Sequence, residues 1–220
     1  MFDSLLRSCR AWFGGEAARR ASVPDRWLMV DVETTGLNPA KDRLLAIAAV
    51  ALYRDPLTNN LRVALGDSFE AVLRQTQPSD KSNILIHHIG AQAQTEGEAP
   101  EAALERFRTW VGTSPLLAYH AAFDAGMIHR AYRSHDLSPL NVDWLDIEPL
   151  ARLFGGNSRA KALDDWLAHF HIECVVRHQA ASDAFATAEL LLRLWPAMRQ
   201  ETQTWRGVTR LARGAAWIPS

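Results

Sequence analysis

The stretch at residues 27–37, WLMVDVETTGL, constrains the fold more than any other part of the chain. Residues 27–30 are apolar without alternation, which predicts a strand buried on both faces in the middle of a sheet. Asp31 and Glu33 follow, and side chains two apart on a strand point the same way. Two carboxylates this close repel each other unless a divalent cation binds between them, and oxygen ligands suit Mg²⁺ or Mn²⁺. The alternative is a pair of solvated acids before a turn, and the pair alone does not decide.

Length and composition limit the classes of protein that are compatible with this chain. Its 220 residues suit one domain, which we place at 27–195, with an N-terminal helical extension at 1–26 and a C-terminal helix and tail at 196–220. A net charge of −1 excludes a broad basic surface for duplex DNA but allows a local groove. Cys9 and Cys174 show neither metal-ligand spacing nor a disulfide framework. No apolar stretch approaches membrane-spanning length, so we expect a soluble cytoplasmic protein without a membrane partner.

The remaining pattern predicts an α/β fold. Residues 43–53 and 61–73 are expected to form two strands joined by a hairpin, and therefore antiparallel to their neighbours. Short buried strands are expected at 116–119 and near 144. Between and after them the periodicity predicts helices at 79–89, 100–111, 121–134, 162–170 and 184–195, with Pro196 starting a separate short helix that contains Trp205.

Asp124 lies within the apolar stripe of the helix expected at 121–134. A carboxylate on that face would be buried, and an unpaired buried carboxylate needs a cation, a hydrogen-bond network or a metal. The alternative is that Asp124 only favours the positive end of its helix, since it lies in the first turn. Asp146, at the start of a later helix, is interpreted as a cap and not as a ligand.

The segment 178–183, HQAASD, precedes the last strong helix. Ser182 is the N-cap that we predict for this helix, which places Asp183 in the first turn beside the buried face. A lone histidine in a loop is usually a surface residue. His178 becomes a candidate for chemistry only through its nearness to Asp183 and to the acids upstream.

Three segments together resemble the motifs of a known family. They are DVETTGL at 31–37, HAAFDAGMI at 120–128 and HQAASDAFATAELL at 178–191, and they resemble the three motifs of DEDDh-type 3′-to-5′ exonucleases. The similarity covers about residues 27–195 and is strongest to the DnaQ-like branch, which contains the epsilon proofreading subunits of bacterial DNA polymerase III. The resemblance implies a ribonuclease H-like fold, a mixed five-stranded sheet with helices on both faces, which agrees with our strand count.

The resemblance also implies roles for individual residues. Asp31, Glu33, Asp124 and Asp183 would hold two Mg²⁺ or Mn²⁺ ions, and His178 would be the general base. For the 3′ end of the substrate, Thr34 would offer its backbone amide to the terminal sugar, and Leu37 would wedge against the last base. Phe123 would make a second apolar contact or belong to the core. His120 stands where the family usually has asparagine, which affects how the 3′-terminal nucleotide is positioned.

The function implied is a metal-dependent exonuclease that releases nucleoside 5′-monophosphates from the 3′ end of single-stranded DNA. A 3′-to-5′ exoribonuclease acting on tRNA ends or oligoribonucleotides is the nearest alternative, because only contacts to the 2′-hydroxyl separate the two. The Glu-Thr-Thr-Gly stretch favours DNA. A non-catalytic polymerase-associated subunit is the alternative of another class, and both a DNA polymerase partner and a homodimer stay open. Phosphate contacts are predicted for Arg130, Arg159, Lys161 and Arg177.

Overall fold

One mixed sheet of five strands organises the molecule. The computed structural model describes residues 25–156 and 158–215. The strand order is β3-β2-β1-β4-β5; β2 is antiparallel to both of its neighbours, whereas β1, β4 and β5 are parallel. This confirms the predicted α/β class and the antiparallel pairing of the second and third strands. The strands are β1 (Asp25–Thr34), β2 (Leu44–Arg54), β3 (Leu61–Val72), β4 (Leu116–Ala118) and β5 (Trp144–Asp146).

Helices cover both faces of the sheet, as predicted. One hydrophobic core lies between the sheet and α3 and α4, and a second lies between the other face and α5 to α8. Within the described ranges, no helix combines the length and the apolar character needed to cross a bilayer. The helices are α1 (Lys81–His87), α2 (Ala91–Thr95), α3 (Pro100–Val111), α4 (Ala121–Ser134), α5 (Glu148–Phe154), α6 (Leu163–His169), α7 (Ala180–Glu201) and α8 (Trp205–Ala215).

β1 runs through the middle of the molecule with both of its faces covered. Leu28 and Val30 enter the core under α3 and α4, and Trp27 and Met29 enter the core under α5 to α8. All four are at most 1% exposed, which explains the lack of alternation in this segment. Side chains two apart on a strand share a face. Asp31 and Glu33 therefore continue the face of Trp27 and Met29 toward the strand's end.

Trp27 joins the start of β1 to two helices. Its ring lies 5.5 Å from that of Trp195 in α7, edge to face, and 5.5 Å from that of Trp205 in α8. Ring pairs at such distances add to the stabilisation from burial alone. The last two helices are therefore held against the central strand.

The last helices differ from the prediction. α7 begins after Gln179, so Ser182 lies inside the first turn and is not the N-cap. The helix also continues through Pro196 to Glu201. Proline removes one helical hydrogen bond, but Pro196 lies on the exposed side while Met198 is fully buried, so the apolar face keeps packing beyond the proline.

The two ends of the chain give further corrections. β1 starts at Asp25, so Asp25 and Arg26, which we had assigned to an N-terminal extension, belong to the sheet. α8 begins at Trp205 and not at Pro196, and it continues to Ala215 within the segment for which we expected a helix and a tail. The N-terminal helix that we predicted, including Cys9, lies outside the described residues.

Candidate active site

Three carboxylates from distant parts of the chain meet at the end of β1. Asp31 and Glu33 come from the strand, and Asp183 comes from the first turn of α7. Each offers one oxygen, and these oxygens lie within 4.8 Å of one another. α7 packs along β1 and β2, which brings its first turn to the strand's carboxyl end. Asp183 thus lies beside the two acids of the strand.

Asp124 adds a fourth acid from the first turn of α4. It is 4% exposed, and the backbone of Val32, between the two acids of β1, partly offsets the effect of burial on its pKa. Among the charged neighbours of Asp31, Asp124 contributes most to the rise in the pKa of Asp31. All four predicted acids therefore lie in one electrostatic cluster.

The negative charge of this cluster is only partly offset by the chain's own cations. Burial raises the pKa of Asp31 well above its usual value, and repulsion from Asp124, Glu33 and Asp183 raises it further. Burial likewise raises the pKa of Asp124 well above its usual value. Burial also raises the pKa of Glu33, although the contact with His87 opposes the rise. Binding of cations would stabilise the ionised forms.

The donor set fits a hard divalent cation. Oε1 of Glu33 is buried and has no hydrogen-bond partner among the described residues. A buried carboxylate oxygen without a partner is costly unless a ligand satisfies it. With Asp31 and Asp183 it offers the all-oxygen coordination that Mg²⁺ and Mn²⁺ prefer.

Two histidines lie at the same site. His178 directly precedes Gln179, the N-cap of α7; its backbone is left-handed (φ 61°) and its side chain is exposed. Its amide donates to Oδ2 of Asp183 at 2.9 Å, so the acid fixes the loop. His87, at the end of α1, contacts Oε2 of Glu33 through Nδ1. The two imidazole rings are 6.4 Å apart and perpendicular.

Asp183 also contacts a cation of the chain itself. Arg177 donates through Nη1 to Oδ1 of Asp183 and through Nε to Asp164 of α6. In the structure this guanidinium is therefore engaged with carboxylates, and the phosphate contact stays a prediction. Sγ of Cys174 donates to the same Oδ1 at 3.3 Å. Burial and the Asp183 carboxylate raise the pKa of this thiol to about 11, so it remains a donor.

The residues predicted to grip the 3′ end surround the acids. Leu37 is 86% exposed, so its side chain is free to meet a base. Thr34 is buried, and its hydroxyl donates to the carbonyl oxygen of Gly36 at 2.7 Å. Phe123 is half-buried and packs against the core, in keeping with the second of the two interpretations that we gave it. The carbonyl oxygen of Thr34 accepts from Asn83, which attaches α1 to this edge.

His120 is the residue before α4, with a left-handed backbone (φ 61°). Its amide donates to Oδ1 of Asp146 at 3.0 Å, and the amide of Glu148 donates to the same oxygen. Asp146 ends β5 and the N-cap of α5 is Ile147, so the predicted cap is displaced by one residue, although the Asp146 carboxylate does accept from the first amide of that helix. The other predicted phosphate contacts vary: Arg130 donates to the carbonyl oxygen of Pro39, whereas Arg159 and Lys161 have exposed side chains.

His87 and Cys174 were not predicted as site residues. His87 sits in a pair of adjacent histidines, and the sequence offers no way to tell which of the two faces the acids. Cys174 precedes Asp183 by nine residues, in a loop whose path the periodicity does not define. Both reach the site through contacts that arise only when distant segments pack together.

A mixed sheet of this order with acids gathered at the end of its central strand, together with the match to a nuclease family, defines a nuclease of the exonuclease type. The sequence model of the RNase_T exonuclease family matches residues 28–191, and the chain belongs to this family. It is 30% identical over 179 residues to the PolC-type DNA polymerase III of Oceanobacillus iheyensis. The match covers 80% of this chain but 12% of the relative. The PolC-type enzyme of Bacillus subtilis is 29% identical, with the same 12% covered. This chain thus spans about an eighth of these relatives' length.

Solved structures show the same fold. Escherichia coli exonuclease I in complex with a dT13 oligonucleotide superposes with a TM-score of 0.64 at 20% identity, covering 80% of this chain and 43% of that chain. Cell-death related nuclease 4 superposes with a TM-score of 0.66 at 14% identity, covering 79% and 64% of the two chains. These likenesses confirm the ribonuclease H-like architecture expected from the sequence.

Proposed function

We propose that this protein is a metal-dependent 3′-to-5′ exonuclease that releases nucleoside 5′-monophosphates from single-stranded DNA. The observation that carries this proposal is the cluster of Asp31, Glu33 and Asp183, with its unpartnered buried oxygen, beside the exposed imidazole of His178. The family membership supports the reaction class. The PolC-type polymerases and the exonuclease I–oligonucleotide complex favour DNA as the substrate.

In this proposal the four acids hold two Mg²⁺ or Mn²⁺ ions. When bound, such ions lower the pKa of an attacking water and neutralise charge on the phosphate and the leaving oxygen. Asp31 and Asp183 would supply oxygens from two elements, and Asp124 would complete the cluster from a third. The chain itself then has to accept a proton and fix the 3′ end.

His178 would take the proton from the attacking water. Imidazole is the side chain best suited to accept a proton near neutral pH. The ring is exposed on a loop that Asp183 holds only through the backbone amide, so the side chain is free to turn toward a bound phosphodiester. A histidine here would therefore act on the substrate side of the acids and not as a metal ligand.

The 3′ terminal nucleotide would be held by the surrounding residues. Leu37 projects into solvent and would contact the last base, and the backbone amide of Thr34 would contact the terminal sugar. Phe123 would add apolar contact through the part of its ring left outside the core. His120 replaces an amide side chain, so it would contact the terminal nucleotide through a ring nitrogen. A DNA polymerase is the partner that the PolC-type relatives suggest.

The test is digestion of matched 5′-labelled single-stranded DNA and RNA in Mg²⁺, Mn²⁺ or EDTA. We expect a metal-dependent ladder that shortens from the 3′ end, faster on DNA, and a fall of roughly 10³-fold in kcat for His178→Ala. His171→Ala is the matched control, since His171 is an exposed histidine with a left-handed backbone in the same region and outside the site. Equal digestion of RNA would move the assignment to an exoribonuclease. No digestion of either strand would favour a non-catalytic subunit.

A further inference from the structure

A basic groove lies on α8, away from the acidic cluster. Three arginines of this helix, together with Trp144 and Trp205, line a groove of about 460 Å³ beside the start of β5. The arginines are Arg206, Arg210 and Arg213, and all three are exposed. Their spacing of four and three residues places them on one side of the helix, with neighbouring Cβ atoms roughly 5–6 Å apart. We call this surface the α8 groove.

The arginines of the α8 groove do not serve the stability of their own helix. In the part of the chain that the structure describes, none of the three is hydrogen-bonded to an acid or ion-paired with one. Arg206 lies in the first turn, where a positive charge opposes the helix dipole. Arg210 stands one turn from each of the other two, so like charges repel along the row. An anion bound along the row would remove both penalties.

The rest of the groove suits a nucleic acid strand. Asp143 is the acid that lines it, and its Oδ2 already accepts a hydrogen bond from Nε1 of Trp205 at 3.2 Å. Nε1 of Trp144 is buried without a partner among the described residues. Arginines bind phosphate oxygens through their paired donors, and tryptophans beside them offer faces for bases.

Charge argues against the chain's own N-terminal segment as the occupant. Residues 1–24 contain Arg7, Arg10, Arg19 and Arg20 but only Asp3 and Glu16 as acids, so this segment is itself basic. It would be repelled by the row of arginines. The charge of the groove therefore favours an anionic partner from outside the chain.

The α8 groove is joined to the candidate active site by one short strand. Trp144 begins β5 and Asp146 ends it, about 7 Å further along. Asp146 holds the amide of His120, which begins the helix that carries Asp124. A strand whose 3′ end lies at the acids would have to cross only this edge of the sheet to reach the arginines.

We infer that the α8 groove binds the sugar–phosphate backbone of the same single strand whose 3′ end enters the active site. This inference rests on the proposed function and adds a substrate contact upstream of the cleaved bond. The net charge of −1 for the whole chain makes such a local contact the main source of affinity for long strands. Short oligonucleotides would end before they reach it.

The test compares two triple variants on two substrate lengths. R206Q/R210Q/R213Q removes the row, and R62Q/R133Q/R193Q removes three exposed arginines elsewhere on the surface as a matched control. On single-stranded DNA of about 30 nucleotides we expect the first variant to raise KM by roughly tenfold, with kcat unchanged. On about four nucleotides, KM should be unchanged. The slope of log affinity against log salt should fall by about two for the long strand, since each lost phosphate contact contributes about 0.7.

Failure of the inference and failure of the proposed function give different results. If wild-type protein degrades DNA and both triple variants have the same KM on the long strand, the inference is overturned. If wild-type protein degrades neither length, fluorescence anisotropy with an oligo-dT of about 30 nucleotides in EDTA still decides. Weaker binding by R206Q/R210Q/R213Q alone supports the groove. Equal binding by the two variants would overturn the inference.

Discussion

Arg177 donates a hydrogen bond to the carboxylate of Asp183, so a cation of the chain itself lies among the acids proposed to hold metal ions. The same guanidinium contacts Asp164 on α6. Although burial alone would lower the pKa of Arg177, the contacts with Asp164 and Asp183 raise it, so its charge is fixed. Arg177 and a divalent cation would therefore compete for the same oxygen of Asp183.

This competition predicts that Arg177→Gln binds metal more tightly. Removing the guanidinium frees Oδ1 of Asp183, and we expect the Kd for Mn²⁺ to fall by roughly tenfold, about 1.4 kcal/mol. Isothermal titration calorimetry on metal-free protein measures this directly. Arg159→Gln, which removes an exposed arginine in the loop before α6, should leave the Kd unchanged. A Kd for Arg177→Gln equal to or above that of wild type would show that Arg177 does not compete.

Asp31→Asn should abolish turnover and stabilise the metal-free fold. Burial and three neighbouring acids raise the pKa of Asp31, so its ionised form is unfavourable in the folded protein. Because the pKa of Asp31 is raised in the folded protein, its contribution to the free energy of unfolding is present below the unfolded-state pKa. That contribution is lost as the pH rises through the folded-state pKa. In EDTA at pH 8 we expect a Tm about 3 °C above wild type for the variant, and a smaller difference at pH 5. If the variant is less stable than wild type at pH 8, the interpretation of acid repulsion is wrong.

His87 should act on the metal site through Glu33. Its imidazole orients one oxygen of that carboxylate and leaves the other without a partner. Partners that orient a ligand typically contribute 10–100-fold to metal affinity, so we expect His87→Ala to raise the Kd for Mn²⁺ by about tenfold. His87→Gln, which keeps a donor, should recover part of the loss. His88→Asn is the control, because the exposed neighbour has a left-handed backbone that asparagine tolerates.

Much of the fold was readable because local patterns and tertiary packing agree. The helices at 100–111 and 121–134 begin and end where the sequence predicted, since proline starts the first and both present continuous apolar faces. The central strand was readable because burial on both faces leaves only apolar residues from Trp27 to Val30. The four acids could be named in advance because three segments of the chain resemble the motifs of the exonuclease family. Their meeting within one cluster required the structure.

The errors and omissions come from contacts between distant segments. Pro196 looks like a helix end locally, but burial of Met198 against the second core outweighs the lost hydrogen bond. The contact of Arg177 with Asp183 depends on the path of a loop without periodicity. His87 reaches Glu33 across more than fifty residues of sequence. No local rule carries that information.

Asp67 gives a prediction about stability that is independent of the site. Its carboxylate accepts from Nε and Nη2 of Arg26 at 2.7 and 2.8 Å, from the hydroxyl of Tyr53 at 2.7 Å and from Nε1 of Trp110 at 2.9 Å. The hydrogen bonds from Arg26, which contribute most, together with those from Tyr53 and Trp110, lower the pKa of Asp67 to about 2, although burial opposes the change. The carboxylate joins the edge strand β3 to the start of β1 and to α3.

We expect Asp67→Asn to destabilise the fold by about 1 kcal/mol at pH 6, a value reduced from the full pKa difference because the side chain is partly exposed to solvent. A lowered folded-state pKa gives stability that is present above the unfolded pKa of about 4 and lost as pH falls through about 2. Urea unfolding of wild type and Asp67→Asn should therefore give a difference in the free energy of unfolding that is smaller at pH 2.5 than at pH 6. Asp136→Asn, on an exposed turn with φ 53°, should show no such difference. If the difference in the free energy of unfolding between wild type and Asp67→Asn is independent of pH, the packing of the Asp67 side chain, and not its charge, makes it stabilising.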